Sequence, residues 1–317
     1  MDNLTYWVSF CDKLHPYRQS YYRRLSINIG NIFRLLNEFK SLKKLFEAPE
    51  DEIYNTNDKM ITNFLRTWRN ANLDAYNSEV KRLLDNGINI ISYEDKAYPK
   101  KLKMIRDPPL VLFHRGSLMD FDNCVAIIGT RNPSDFGRQS AREISRDIAQ
   151  KGYTIASGLA KGIDTGAHYG ALDAGGKTIA VLGTNIETIY PKENMNLSVD
   201  ITKSGALLSE MSPSQQTKKF SFVQRNRIIS GISKCLLVIE SGSTPGTFWQ
   251  VKLALDQRCK VFVLKYRGYD EPSVRRFREL IKLGGVPFSS SEEVINHLES
   301  NSHWVRADTL TQSYITN

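Results

Sequence analysis

From Ile88 onward, short apolar runs alternate with longer stretches in which apolar residues recur every three or four positions. The runs are Ile88 to Ser92, Leu110 to Phe113, Val125 to Ile128, Thr154 to Ala156, Thr178 to Leu182, Ala206 to Ser209, Leu236 to Ile239 and Val261 to Leu264. Runs this short, separated by amphipathic segments, predict buried strands joined by crossover helices, hence an α/β, mainly parallel sheet with helices on both faces. Upstream the period changes. Patterns such as Ile32-Phe33-Arg34-Leu35-Leu36 and Ile61-Thr62-Asn63-Phe64-Leu65 repeat at helical spacing, separated by polar turns such as Pro49-Glu50-Asp51-Glu52. The expected organisation is a small all-helical domain over 1–82, an α/β domain over 83–300 and a tail over 301–317. A last helix should open at Ser290-Ser-Glu-Glu293, which reads as a capping box, and run to about Leu298.

The architecture implied is an extended Rossmann-like sheet, in which ligands bind at the carboxyl ends of the strands. Two glycine-bounded turns fall at such ends: Val125-Ala-Ile-Ile-Gly129-Thr130-Arg131 and Ser157-Gly158-Leu-Ala-Lys161-Gly162-Ile-Asp164. A strand that passes through a Gly-rich turn into a helix leaves N–H groups unpaired and pointing outward, in a field suited to an anion. Arg131 adds a planar fork able to grip phosphate through two hydrogen bonds. Either turn alone is equally an ordinary strand-to-helix connection; the pair together points to a phosphate-binding surface.

Charge sharpens that picture. The formal net charge is +9 over 317 residues, and its distribution is uneven. No acidic residue lies between Glu210 and Glu240, whereas Lys218, Lys219, Arg225, Arg227 and Lys234 do, interleaved with Phe220 and Phe222. Cations neutralise backbone phosphates and aromatic faces stack unpaired bases, so the stretch reads as a single-strand groove. The competing reading places Phe220, Phe222 and Val223 on the apolar face of a helix with its cations in solvent.

Composition removes other classes. No apolar run is long enough to span a bilayer, and Asp2, Asn3 and Asp12 break the layout of a signal peptide, so a cytoplasmic protein is expected. Cys11, Cys124, Cys235 and Cys259 lie far apart, and His15, His114, His168, His297 and His303 show no metal-ligand spacing; neither a disulfide framework nor a metal site is predicted. Gly176-Lys177-Thr178 imitates the end of a P-loop, but Ala171 stands where that loop needs Gly, and Thr178 enters a strand rather than a helix. No G-x-G-x-x-G follows a strand, and nothing nearby in sequence pairs Glu210 or Glu240 with a nucleophile. No resident cofactor and no enzyme activity are predicted.

Six blocks in order carry a resemblance: Ala126-Ile-Ile-Gly-Thr-Arg131, Ser157 through Thr165, Thr178-Ile-Ala-Val-Leu-Gly183, Ile189-Tyr-Pro-Lys-Glu-Asn194, Gly205-Ala-Leu-Leu-Ser-Glu210 and Arg225-Asn-Arg-Ile-Ile-Ser-Gly231. The chain resembles the DprA/Smf family of DNA-processing proteins from about Tyr93 through Leu264. The resemblance is weaker in the N-terminal domain, where Ile27-Asn-Ile-Gly30 is similar to that family's SAM or helix-hairpin-helix-like module. It implies a cytosolic homodimer that binds single-stranded DNA, protects incoming strands and loads a RecA-type recombinase in natural transformation and recombination. Carried over by position, Gly129, Thr130 and Arg131 match the family's Gly-Ser-Arg turn; Ser157, Gly158, Lys161, Gly162 and Asp164 match its second block. Asn194, Arg225, Asn226 and Arg227 match positions around its groove. Asp164 is placed to act as an N-cap. Lys265-Tyr-Arg-Gly268 stands where the family commonly has a Pro-Gly turn, and no winged-helix pattern follows the sheet in this sequence.

One alternative comes from another class. Ser241-Gly242-Ser243-Thr244-Pro-Gly246-Thr247 resembles the Gly-Gly-x-Gly-Thr loop of Rossmann-like proteins that bind nucleotides or cleave nucleoside monophosphates. The catalytic loop is followed by a Glu, whereas Phe248, Trp249, Gln250 and Val251 follow here. A binding protein is therefore favoured, with nucleotide sensing in defence or signalling as the other reading.

Overall fold

The computed structural model describes residues 1–18, 27, 29–53, 58–117, 121–242, 245–265 and 271–300. Ser243, Thr244, residues 266–268 of the departure from the family turn, and the tail over 301–317 lie outside the described residues. The N-terminal part is helical: α1 (Asn3–Arg18), α2 (Ile29–Phe39), α3 (Leu42–Glu47), α4 (Glu50–Ile53), α5 (Lys59–Arg69) and α6 (Leu73–Asp85). Asp58 and Asn72 cap α5 and α6 by accepting backbone N–H groups of the first turn.

Alternation follows, as the sequence pattern predicts: β1 (Ile88–Ser92), α7 (Lys100–Lys103), β2 (Val111–Gly116), β3 (Cys124–Ile128), α8 (Asp135–Gln150), β4 (Thr154–Ser157), α9 (Ile163–Asp173) and β5 (Thr178–Val181). The chain continues through α10 (Met195–Ser204), β6 (Ala206–Ser209), α11 (Lys219–Gly231), β7 (Ser233–Val238), α12 (Gly246–Asp256), β8 (Lys260–Leu264), α13 (Glu271–Lys282), β9 (Val286–Phe288) and α14 (Ser291–Ser300). The sheet order is β1-β2-β6-β5-β4-β3-β7-β8-β9. Pairing is parallel from β6 through β9, while β1 with β2 and β2 with β6 are antiparallel. The mainly parallel, helix-covered sheet with a helical region before it is thus the observed fold.

Period-two alternation assigns each strand residue to a layer. In β3, Cys124, Ala126 and Ile128 pack with Leu102, Ile228, Val251 and Leu280 of α7, α11, α12 and α13. Val125 and Ile127 face the opposite way, into Ile144, Ile148, Ala167 and Leu298 of α8, α9 and α14. The N-terminal helices do not form an isolated core. Trp7, Phe10, Phe64 and Trp68 share one buried cluster with Phe113, Ala180, Ile201 and Leu207 of the sheet and α10. Arg82 of α6 also forks onto Glu187, both nitrogens at 2.8 Å. Among the described residues no helix is long and apolar enough to cross a membrane.

From β3 the chain moves outward through β4, β5 and β6, then returns to place β7 on the other side of β3. The strand order therefore reverses between β3 and β7, and the turns that leave their carboxyl ends meet there, the position at which open α/β sheets bind ligands.

Candidate nucleic-acid interface

Glu240, just past β7, dominates the turn after β3. Its backbone oxygen accepts from Thr130 N at 2.8 Å. Its carboxylate accepts from Ser134 N at 3.0 and 3.2 Å and from Ser134 Oγ at 2.6 Å, while Ser134 Oγ itself accepts from Gly137 N at 3.0 Å at the start of α8. A protein carboxylate thus occupies the place at the α8 N-terminus where a Rossmann-like site would receive a phosphate. This differs from the expectation of unpaired, outward N–H groups. It also gives Glu240 a partner that lies 106 positions away in sequence. Between the two anchors, Arg131 projects into solvent, and among the described residues no carboxylate lies within salt-bridge distance of it.

The turn after β4 is likewise satisfied from within. Asp164 is not the N-cap of α9; that position is Gly162, whose φ of +83° suits a residue without Cβ. A Cβ there would run into the Thr130 and Arg131 carbonyls. Asp164 sits in the first turn and accepts from Gly158 N at 3.0 Å and Ala160 N at 3.3 Å. Ile163 N donates to Thr130 O at 3.1 Å, locking this turn to the first. Ser157 Oγ donates to Ile127 O at 2.6 Å. Asn194, buried, donates from Nδ2 to Leu159 O and Thr165 Oγ1, both at 2.9 Å. Lys161 points outward and meets exposed Glu193 at 2.5 Å, a contact worth little in solvent and readily exchanged for a phosphate.

The cations of α11 divide into two groups. Lys218 and Lys219 are exposed at the helix start. Arg225 is buried: its guanidinium lies against Gly158, where any Cβ would collide with it, and Nη1 donates to Val181 O. Burial pushes this guanidinium down to about 10, nearby Asp164 opposes the fall and Arg131 adds to it. Its Nε has no hydrogen-bond partner among the described residues. Arg227 is also buried, with Nη2 on both oxygens of Glu210 at 2.5 and 2.6 Å and Nε on Asp107 Oδ2 at 3.2 Å. Its charge is spent inside the protein, so Arg227 holds α11 to the segment after β6. Asn226 is half-buried on the same helix. Lys234 stands at the beginning of β7, the opposite edge of the sheet, with Nζ 5.8 Å from the Tyr153 ring centroid.

Phe220 and Phe222 are both half-buried. Phe222 packs on the bare backbone of Gly183, after β5, and its ring centroid is 5.3 Å from that of Tyr190, which is 52% exposed. Tyr190 was not singled out by residue type or spacing, because only the folded loop brings it beside Phe222. The loop entering α11 is held from the helical region by Asp12 of α1, which accepts from Ser212 Oγ at 2.8 Å, Ser214 Oγ at 2.7 Å and Tyr76 Oη at 2.5 Å. Burial raises the Asp12 carboxyl, but the hydrogen bonds from Ser214, Tyr76 and Ser212, with Lys13, more than offset it and hold the group below its ordinary value.

In the glycine loop after β7, Gly242 is packed so that a Cβ would lie 2.6 Å from Thr130 Oγ1. Ser241 is half-buried, Gly246 is exposed and Thr247 is buried in the first turn of α12.

The segments at this edge therefore carry exposed Arg131, Lys161, Lys218 and Lys219 and the Tyr190–Phe222 ring pair, on a frame built by Ser157, Gly158, Gly162, Asp164, Asn194, Arg225 and Glu240. The model of the DNA recombination-mediator protein A family matches residues 89–299, which cover this whole frame. The chain belongs to that family. Among DNA recombination-mediator relatives, it is 37% identical over 216 residues to the DNA processing protein DprA of Bacillus subtilis, covering 68% of this chain and 72% of that protein. It is 34% identical over 239 residues to the protein Smf of Synechocystis, covering 73% of this chain and 59% of the relative. The fold is similar to DNA processing protein A from Streptococcus pneumoniae, with a TM-score of 0.75, 27% identity and coverage of 93% and 98% of the two chains. It is also similar to DNA processing protein A from Helicobacter pylori, whose structure concerns that protein's single-stranded DNA binding mode. There the TM-score is 0.60 at 28% identity, covering 67% of this chain and 97% of that one.

Proposed function

We propose that this protein binds single-stranded DNA along the carboxyl edge of the sheet and acts, as a cytoplasmic homodimer, in DNA uptake and recombination by handing the strand to a RecA-type recombinase. The observation that carries the binding is that exposed Arg131, Lys161, Lys218 and Lys219 share the carboxyl edge of the sheet with the Tyr190–Phe222 ring pair. The cations meet successive phosphates, and the rings offer faces to unpaired bases that a duplex keeps stacked inside. Family membership and the strand-binding relative from Helicobacter pylori support the reading. The buried residues Ser157, Asn194, Arg225 and Arg227 shape the edge from beneath and do not touch DNA.

The test is a titration of fluorescent oligo-dT. Phe222→Ala should weaken binding by about 1–3 kcal/mol, the value of one base-to-ring stack, with the fold intact; unchanged affinity would remove the aromatic platform from the account. A base-releasing enzyme is disfavoured because Glu240, the carboxylate beside the Ser241 to Thr247 loop, is committed to Ser134. Incubation with AMP, GMP, CMP and UMP should accordingly yield no free base, and release abolished by Glu240→Gln would establish the hydrolase instead.

A further inference from the structure

The parallel arrangement repeats one motif on the next helix. α11 leads into β7 and α12 into β8, both strands run the same way, and both helices therefore begin at the carboxyl edge. They lie side by side, tied by Gln257, which accepts from Ser230 Oγ at 2.6 Å and donates to Arg227 O at 3.2 Å. The first turn of α11 carries Lys219, Phe220 and Phe222. The first turn of α12 carries Phe248 and Trp249, with Lys252 one turn on.

Trp249 is 46% exposed, in a position where nothing in the folded core requires an indole. Single exposed apolar residues are ordinary; three features set this one apart. Phe248 packs against the core of the α11–α12 face and meets Trp249 edge to face, with centroids 5.9 Å apart and planes at 88°, so the indole is held and little freedom is lost when a base lands on it. Lys252 Nζ lies over the indole, 5.7 Å from the ring centroid, so a cation accompanies the platform. Gly242, just after β7, lies so close to the Arg131 turn that a Cβ there would meet Thr130 Oγ1, and Trp249 stands in the first turn of α12, the helix that follows.

We propose that Trp249, with Lys252, is a second base-stacking subsite, engaged by a single strand that runs on past the Arg131 turn from the Phe222 platform. The inference rests on the strand-binding reading and extends it to a site of two platforms. A strand long enough to reach both gains a further stack and a further phosphate contact.

The experiment uses the full-length protein and oligo-dT of increasing length, read by intrinsic tryptophan emission and by anisotropy. The chain has four tryptophans; Trp7 and Trp68 are fully buried and Trp304 is replaced by Phe in every protein of the emission series, so saturating long oligo-dT should quench emission when Trp249 is present and fail to do so in Trp249→Phe, which keeps a stacking face and most of the affinity. Trp249→Ala should weaken long oligonucleotides roughly five- to hundredfold while leaving the shortest binders unchanged. Equal affinities at every length, or quenching that persists in Trp249→Phe, would overturn the subsite. So would a change of oligomeric state in Trp249→Ala with affinity per subunit preserved, which would make the indole a subunit contact. Failure of the wild type to bind any oligo-dT would bring down the strand-binding reading itself along with this one.

Discussion

Arg131 is exposed while both ends of its turn are pinned by Glu240, so Arg131→Ala removes the charge and fork without disturbing the frame. Single-strand binding should fall by about 1–3 kcal/mol with little change in melting temperature; a drop in melting temperature with affinity preserved would make Arg131 a structural residue. His168, beneath the site, makes a pH prediction. Thr178 Oγ1 donates to Ile155 O at 2.8 Å, so it accepts from His168 Nδ1 at 2.7 Å, and the ring is the neutral tautomer with Nε2 buried. Burial, aided by Arg225, pushes this imidazole down to about 3. The unfolded chain then binds a proton that the folded one refuses, so stability contributed by His168 is intact above about pH 6.5 and is lost as pH falls toward 3, by at most about 1.4 kcal/mol per unit. Asp164, raised by burial against the opposing pull of Arg225, works in the opposite sense, so the effect is read as a difference. Melting curves from pH 7 to 5 should decline more steeply for the wild type than for His168→Asn, and equal slopes would contradict the assignment. Residue type and turn context made Arg131 and the glycines legible in the sequence. Burial of charge was not legible: Arg227 reads as a free cation until folding brings Asp107, 120 positions away, against it.

At the scale of elements, the loop into α11 is held by a carboxylate from the helical region, so on the proposed reading strand binding should depend on that region. Asp12→Ala removes the common acceptor of Ser212, Ser214 and Tyr76. It should cost about 1.5–3 kcal/mol of stability per lost charge-assisted bond at most and should also weaken oligo-dT binding severalfold, because Lys218 and Lys219 lose their fixed approach. Denaturation and anisotropy on the same preparation check both, and unchanged affinity in a folded Asp12→Ala protein would show that the helical region is only packed against the sheet. The eight apolar runs were readable because each is bounded by turn residues and followed by a helical period. The strand Val286–Phe288 was not, since three residues with a central proline carry no usable period. The closed α8 N-terminus was equally hidden, because Gly-Thr-Arg announces a turn but not the glutamate that fills it.

For the whole molecule, a mainly parallel sheet with one face to each helical layer puts the turns that leave β3 through β8 on one edge, and the cations there do not fall in a single stretch of sequence. Arg131, Lys161 and the Lys218–Lys219 pair come from the turns after β3, β4 and β6. On the proposed reading, affinity assembled this way should be electrostatic in magnitude and aromatic in preference. The decisive measurement is the dissociation constant for oligo-dT and for a blunt duplex of equal length across a series of salt concentrations. With three to four phosphates neutralised, log K for the single strand should fall against log salt with a slope of about −2 to −3, and the duplex should bind more weakly at every point. A salt-independent constant, or equal affinity for the two forms, would contradict a single-strand groove at this edge.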